Sequence, residues 1–329
     1  ADGLSVYVGI MPASVVRGHP SDHEEGAMHG GAPAGPHPQH IVVAVFDSRT
    51  SDRIENAIGQ RPRDLRPLSG GCVGEVYGLV LPDGQKLVAK VGGADARLSL
   101  EGWMLRTLRA RSALPVPAVI YESDALLVME RLESGGSLSD SAEHHAAELI
   151  AALHDVTADT FGLERDTLIG GLHQPNTSSR QWLPFFRDHR LRYMVGEAVR
   201  AGMLSGATHR RVETLCGKLD EWIGDDAAPS LIHGDLWGGN VLAAHGRITG
   251  FIDPAIYYAD PEIELAFTTL FGTFGDAFFR RYSELRALRA GFFEERRDLY
   301  NLYPLLVHVR LFGGSYVHQV EATLRRFGC

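Results

Sequence analysis

Apolar positions along the chain change their spacing near residue 135. Val73 to Leu81 forms one short apolar run and Lys86 to Val91 another. Pro82-Asp83-Gly84 lies between them, so the two predict a β-hairpin. Leu98, Leu105 and Leu108 recur at helical spacing, which predicts a helix to Arg111. Residues 118–121 and 125–130 read as a second strand pair. Upstream, Ser51-Asp52 can cap a short helix carrying Ile54, Ala57 and Ile58, stopped by Gly59 and Pro62. Beyond Gly135-Gly136 long helical patterns dominate, at 140–155, 180–203, 208–223, 262–271, 275–289, 294–309 and 314–326. A small β-rich lobe with one main helix (51–133) followed by a larger, mostly helical lobe (134–329) is an α+β, bilobal design. Residues 1–50 do not fit either lobe. They are dense in Gly, Pro and His, show almost no apolar periodicity, and read as a disordered tail. The tail's five histidines (19, 23, 29, 37, 40) lack tight metal-ligand spacing. Residues 4–16 have neither a basic start nor a cleavage site, so a signal peptide is not expected.

Composition narrows the function classes. The 329 residues are 44% hydrophobic and 22% charged, which suits a globular protein of about two domains. No stretch approaches the roughly 18 uninterrupted apolar residues of a membrane helix. A formal charge of −9 argues against nucleic-acid or anionic-membrane partners. Three scattered cysteines (72, 216, 329) make neither a disulfide framework nor a zinc site, and fit a cytoplasmic location. Lysine is scarce, at Lys86, Lys90 and Lys218 only, so a lysine inside an apolar strand stands out.

The strongest chemical signal is His233-Gly234-Asp235 followed, after four residues, by Asn240, then two apolar runs and Asp253. Phosphoryl transfer from ATP needs a carboxylate to hold and deprotonate the acceptor hydroxyl, and oxygen ligands to place Mg2+ on the phosphates. Asp235 suits the first task, Asn240 and Asp253 the second. The upstream lobe offers nucleotide-binding parts in a matching order. Gly70, Gly71, Cys72, Val73 and Gly74 form a Gly-rich turn that can bring backbone N–H groups to phosphates. Lys90, in Leu87-Val88-Ala89-Lys90-Val91, can reach the phosphates, and Glu101, 11 residues on, can pair with it. Glu130 to Leu132 sits where a hinge between lobes would meet adenine.

This pattern, with His-Gly-Asp in place of the protein-kinase His-Arg-Asp, resembles the aminoglycoside phosphotransferase and choline kinase superfamily, which has a protein-kinase-like fold. Within it the chain resembles the fructosamine kinase (ketosamine-3-kinase) family. The segments that carry the likeness are Asp235-Leu236-Trp237-Gly238-Gly239-Asn240, Ile252-Asp253-Pro254-Ala255 with Tyr257-Tyr258, and Gln174-Pro175-Asn176 with Trp182, Phe185-Phe186 and Arg190. Leu270 to Gly275, Tyr300 with Tyr303, and His308 with Leu311 to Tyr316 extend it, so it covers about 52–329.

The resemblance implies ATP- and Mg2+-dependent phosphorylation of ketosamines, free or protein-bound, on the third carbon's hydroxyl. The product breaks down to regenerate the amine, which amounts to deglycation. Asp235 would be the base or orienter, Asn240 and Asp253 would hold magnesium, and Lys90, positioned by Glu101, would hold the phosphates. Trp237, Tyr257, Tyr258, Tyr316 and Trp182 could stack on a sugar or aromatic amine, although core packing is the favoured reading for Trp182, Phe185 and Phe186. His308 could bond a sugar hydroxyl or be a buried, satisfied histidine. His233 is expected to brace its loop, and Glu262 and Glu264 to stabilise the neighbouring helix start rather than ligate metal. Cys72, in the nucleotide loop, is a candidate redox site whose oxidation would block ATP or crosslink chains. Cys216 is expected buried and Cys329 exposed. The other readings are an antibiotic- or choline-type kinase and a non-catalytic nucleotide binder. The sequence sets no oligomeric state.

Overall fold

The computed structural model describes residues 48–68 and 74–329. The tail's calls up to residue 47, and those on Gly70, Gly71, Cys72 and Val73, lie outside the described residues. Helix α1 (Ser48–Ile58) starts three residues before the expected cap, so residues 48–50 belong to the folded part and not to the tail. A five-stranded antiparallel sheet follows, in the order β1 (Asp64–Leu68), β2 (Glu75–Val80), β3 (Lys86–Val91), β5 (Leu126–Glu130), β4 (Val119–Ser123). β1 was not anticipated. Its five residues carry Pro67, which cannot donate to a ladder, and the strand is tolerated because it forms the sheet edge, with Pro67 opposite Tyr77.

Period-two alternation gives each face of the sheet its own core. Val76, Val88, Leu127 and Met129 face helix α2 (Leu98–Arg111) together with Leu98, Met104, Leu105 and Leu108. Leu79, Leu87, Ala89, Val91, Leu126 and Val128 face the other way, onto Ile54 of α1. Lys90 shares the parity of Val88, so it stands on the α2 side, opposite Leu127. Strand β3 is central and buried on both faces, which explains why its sequence is nearly continuous apolar.

The second lobe is helical: α3 (Asp140–His154), α4 (Trp182–Phe185), α5 (Tyr193–Arg200), α6 (Gly206–Cys216), α7 (Glu262–Leu270), α8 (Asp276–Leu285), α9 (Arg297–Phe312) and α10 (Ser315–Arg326). The helix expected over 180–203 is interrupted. A π-helical stretch, Phe186–Arg192, joins α4 to α5. Likewise 208–223 stops at Cys216, and α9 opens with a π-helical turn, Phe292–Arg296. Four further short strands have too few residues for any periodicity to reveal: β6 (Thr167–Ile169) with β7 (Leu172–Gln174), and β8 (Ser230–Ile232) with β11 (Tyr257–Ala259). Hairpin β9 (Val241–Ala244) and β10 (Arg247–Phe251) turns at His245-Gly246, both at positive φ, the backbone of a tight two-residue turn. The lobes meet through Phe251 N–H on Pro115 O (2.9 Å) and the Arg165 guanidinium over the Trp103 ring (4.7 Å). An Arg111–Glu164 ion pair adds a third link. Among the described residues no helix is long and apolar enough to cross a membrane.

Candidate active site

Four elements converge between the lobes. Strand β8 ends at Ile232 and releases the loop that carries Asp235 and Asn240. The segment leading into its neighbour β11 fixes where the loop starts, because Ala255 N–H donates to His233 O (2.8 Å). Gly234 follows at φ +85, and a Cβ there would stand 2.1 Å from Ala255 O, so only glycine fits. In that conformation Gly234 N–H points to Glu264 Oε1 on α7, at 2.7 Å. Asn240 then folds back on Asp235. Its Nδ2 donates to the Asp235 carbonyl (2.8 Å) and to Asp235 Oδ2 (3.0 Å). Asn240 Oδ1 is buried and has no partner among the described residues. A buried amide oxygen left unmet is costly unless a ligand completes it.

Hairpin β9–β10 brings Asp253 alongside. Its φ is +55, a left-handed conformation that a non-glycine residue holds only when its surroundings enforce it. The backbone on either side is pinned by Ile252 N–H on Asn240 O and Ala255 N–H on His233 O, and Lys90 Nζ lies 2.5 Å from Asp253 Oδ1 and 2.7 Å from Glu101 Oε1. The expected Lys90–Glu101 pair is thus present, and Lys90 bridges sheet, helix and metal-candidate aspartate. Burial alone would lower the Lys90 pKa, but the Asp253 and Glu101 carboxylates outweigh it and hold the ammonium above its ordinary range. Asp235 is affected in the opposite sense. Burial, with the Asp253 charge behind it, pushes its carboxyl up to about 8, against the Asn240 hydrogen bond.

At the lobe junction, Glu130 N–H donates to Ala118 O (2.9 Å) and Arg131 N–H turns the other way, to Lys86 O (3.2 Å). Extended backbone alternates its direction, so Glu130 C=O and Leu132 N–H share one edge. Of the Gly-rich turn, only Gly74 is described. It has φ +79, and a Cβ would meet Val91 O at 2.5 Å, so the chain must approach β3 closely there.

The candidate substrate residues do not all reach the site. Trp182 is fully buried. It stacks on Phe186, and its indole N–H donates to Tyr300 OH (2.9 Å). A substrate contact for Trp182 is therefore ruled out, and it is core, as the packing reading held. Tyr257 is 1% exposed, beneath the Arg190 guanidinium (3.8 Å). It shares with His308, Asp235 and Glu264 the wall of a cavity of about 20 Å³, which is room for water and not for a sugar. His308 Nδ1 is spent on Pro304 O (2.7 Å), and burial lowers the imidazole pKa. Rings run outward from the loop: Trp237 edge-on to Phe271, Phe271 beside His308, His308 against Tyr316 (4.8 Å) and the exposed Phe312. Trp237 Nε1 is buried without a partner among the described residues. Gln174 and Asn176 turn inward, to Thr167, Ala255 O, Tyr303 and the buried Arg190. This network organises the lobe's interior; the Gln174-Pro175-Asn176 segment and Arg190 were singled out by the resemblance, but not as a buried network. His233 is fully buried with Nδ1 3.4 Å from Asp235 N, a bracing position. Glu262 pairs with Arg289 and Arg296, away from the loop. Cys216 is buried, as expected, and Cys329 is half-buried rather than exposed.

A family model described as fructosamine kinase matches residues 47–327. A probable ketoamine kinase of Synechocystis sp. is 35% identical over 84% of this chain and 95% of its own. A chloroplastic protein-ribulosamine 3-kinase of Arabidopsis thaliana is 34% identical over 58% of each chain. A crystal structure from Thermobifida fusca, named as a fructosamine-3-kinase, superposes with a TM-score of 0.76 at 31% identity. The overlap covers 84% of this chain and 98% of that one. An ADP-bound aminoglycoside phosphotransferase, 18% identical with a TM-score of 0.59 over 85% and 97% of the two chains, shares the fold.

Proposed function

The chain belongs to the fructosamine kinase family, and from that premise we propose that it uses ATP and magnesium to phosphorylate the third-carbon hydroxyl of ketosamines. It is a phosphotransferase with an alcohol group as acceptor. The observation that carries the finer reading is the Lys90–Glu101–Asp253 ion cluster set beside the Asp235–Asn240 loop. Lys90, kept cationic, is a compact charge for phosphate oxygens, and Glu101 aims it. Glu130 C=O and Leu132 N–H offer one acceptor and one donor on one edge, a match for adenine's amino group and ring nitrogen.

Asn240 Oδ1, buried and without a partner among the described residues, and the Asp253 carboxylate make a pair of hard oxygen donors that fits magnesium, with phosphate and water completing the shell. Magnesium held there would neutralise charge on the transferring phosphoryl group. Asp235 would accept the acceptor hydroxyl's proton through Oδ1, which has no hydrogen-bond partner among the described residues. Asn240 fixes Oδ2 and therefore the carboxylate's orientation. The phosphorylated ketosamine would then decompose and free the amine.

ATP consumption with magnesium, measured on ribulosyl-lysine, fructosyl-lysine, choline and kanamycin, tests the reading. We expect turnover on a ketosamine, with ribulosyl-lysine first in view of the Arabidopsis relative. Asp235→Asn should lower kcat by about 10² to 10⁴-fold while keeping ATP affinity. Turnover confined to choline or kanamycin would overturn it.

A further inference from the structure

The hairpin that carries the magnesium pair is also fastened to the segment that joins the lobes. Asn240 immediately precedes β9, and Asp253 lies two residues beyond β10. Ile252 N–H on Asn240 O (3.1 Å) closes the open end, so both candidate ligands stand on one frame. The joining segment runs from β5 to α3, and from Leu132 on it lies along that frame. A β-bulge between Ile248 and Gly250 takes Thr249 out of the ladder. The Thr249 hydroxyl donates instead to Glu133 O (2.5 Å). Three residues on, Gly136 N–H donates to Ala243 O (2.8 Å). A Cβ on Gly136 would stand 2.9 Å from Ala244 Cα and 3.0 Å from Ala243 O, so the two backbones are in direct contact. Helix α3 holds the hairpin from another side: Ser141 Oγ donates to Gly246 O (2.9 Å), and His145 Nδ1 accepts Ile248 N–H (3.1 Å). The Glu133–His245 pair is exposed and adds little.

We infer that Thr249 and Gly136 are positioning residues that splint the adenine edge to the magnesium pair, so that one rigid body presents both ends of a nucleotide site. This rests on the ATP-kinase reading above and adds the device that spaces its two halves. Leu132, assigned to the base, is the chain neighbour of Glu133, whose carbonyl Thr249 holds. Asn240 and Asp253, assigned to magnesium, are the two ends of the hairpin that carries Thr249. A ligand that uses two subsites binds more tightly when their spacing is set beforehand, because the second contact then orders nothing further. With the joining segment loose on the hairpin, base and metal ends would have to be brought into register by the ligand itself. Neither Thr249 nor Gly136 is asked to touch nucleotide. The bulge has its reason in the same device: it aims at the joining segment a hydroxyl that a regular strand would not.

A splint separates ligands that use one end from ligands that use both. Adenosine needs the base edge alone, whereas ADP with magnesium spans the two. Calorimetric titration of the full chain with each ligand measures the difference, whichever acceptor the enzyme takes. Thr249→Val keeps the β-branched shape and removes the hydroxyl. It should weaken binding of ADP with magnesium about fivefold and leave adenosine within about twofold. Thr249→Ser keeps the hydroxyl and should stay within about twofold of the parent for both ligands. Gly136 is not at positive φ, so alanine there meets only the close approach to the hairpin. Gly136→Ala should force the backbones apart and weaken ADP with magnesium about tenfold, with adenosine again within about twofold. Leu324→Ala, in the remote helix α10, supplies a chain with lowered melting temperature whose affinity for both ligands should hold. Should Gly136→Ala fail to fold, the Thr249 pair decides alone. The splint is overturned if adenosine and ADP with magnesium weaken equally, which would mean a distorted base edge. It is overturned as well if Thr249→Val binds like the parent, if Thr249→Ser is as weak as Thr249→Val, or if affinity follows melting temperature through Leu324→Ala. A parent chain that binds no ADP with magnesium would overturn the kinase reading itself, and the splint with it.

Discussion

A methyl group at Gly250 would land 2.1 Å from Leu132 Cδ1 and 3.4 Å from Pro115 O. The first contact is with the end of a flexible side chain, so the fold can yield, but only by moving Leu132 from the edge that is proposed to meet adenine. Gly250→Ala should therefore raise the KM for ATP about tenfold with little change in melting temperature, and kcat at saturating ATP should hold. Steady-state kinetics over an ATP series, beside a thermal melt, decide it; an unchanged KM would detach Leu132 from nucleotide binding. That interaction cannot be read along the chain, because Leu132 and Gly250 are far apart in sequence and neither is a reactive residue. The residues that could be read were those whose chemistry and order constrain each other. Lys90, Glu101, Asp235, Asn240 and Asp253 were named from spacing, and the structure brings them together. Trp182 and His308 show the opposite case. A ring with a polar handle looks alike in sequence whether it faces solvent or core, and here the indole N–H goes to Tyr300 and Nδ1 to Pro304 O.

At the level of elements, the Trp182–Tyr300 bond joins α4 to α9, with Phe161, Phe185 and Phe186 packed around the indole. Trp182→Phe removes the donor and part of the ring. It should cost about 1–3 kcal/mol of stability, a lost buried hydrogen bond plus a small cavity. Denaturant unfolding measures that, and the KM for the ketosamine should stay where it was; a selective rise in that KM would restore a substrate role. Periodicity located α2, α3, α8 and α10 to within a few residues because each hides one face, while α7, also found, is buried almost all round. It could not place the π-helical Phe186–Arg192 stretch, where an extra residue per turn carries Arg190 inward to Pro175 O and Asn176. Nor could it see β8 and β11, whose three residues each are buried throughout and owe their pairing to the surrounding helices. These two strands start and support the catalytic loop, so the least legible elements of the fold are among those that position its most legible motif.

For the molecule as a whole, buried titratable groups set the response to acid. Burial keeps His308 neutral in the folded chain, with its pKa below the ordinary 6.5. A base with a depressed folded pKa costs stability as pH falls through its unfolded value, because the unfolded chain takes up the proton first. Glu262 enters lower down. Burial pushes its carboxyl up, but the Arg296 and Arg289 guanidiniums more than reverse this and hold it below the ordinary 4.5. Its contribution is complete above the unfolded pKa and is lost as pH drops through the folded one. Asp260, raised by burial, works in the opposite sense and blunts the fall. Against a background in which Asp235, pushed up to about 8, adds stability as pH falls, urea unfolding should show two limbs: His308's contribution lost below about pH 6.5 and Glu262's lost below about pH 4.5. His308→Gln should flatten the first limb alone and Glu262→Gln the second alone. The subtraction matters more than either curve, since the difference between each variant and the parent isolates one group from Asp260 and the rest. A Glu262→Gln curve parallel to the parent's below pH 4.5 would mean that the Arg289–Arg296 clamp does not hold that charge in solution.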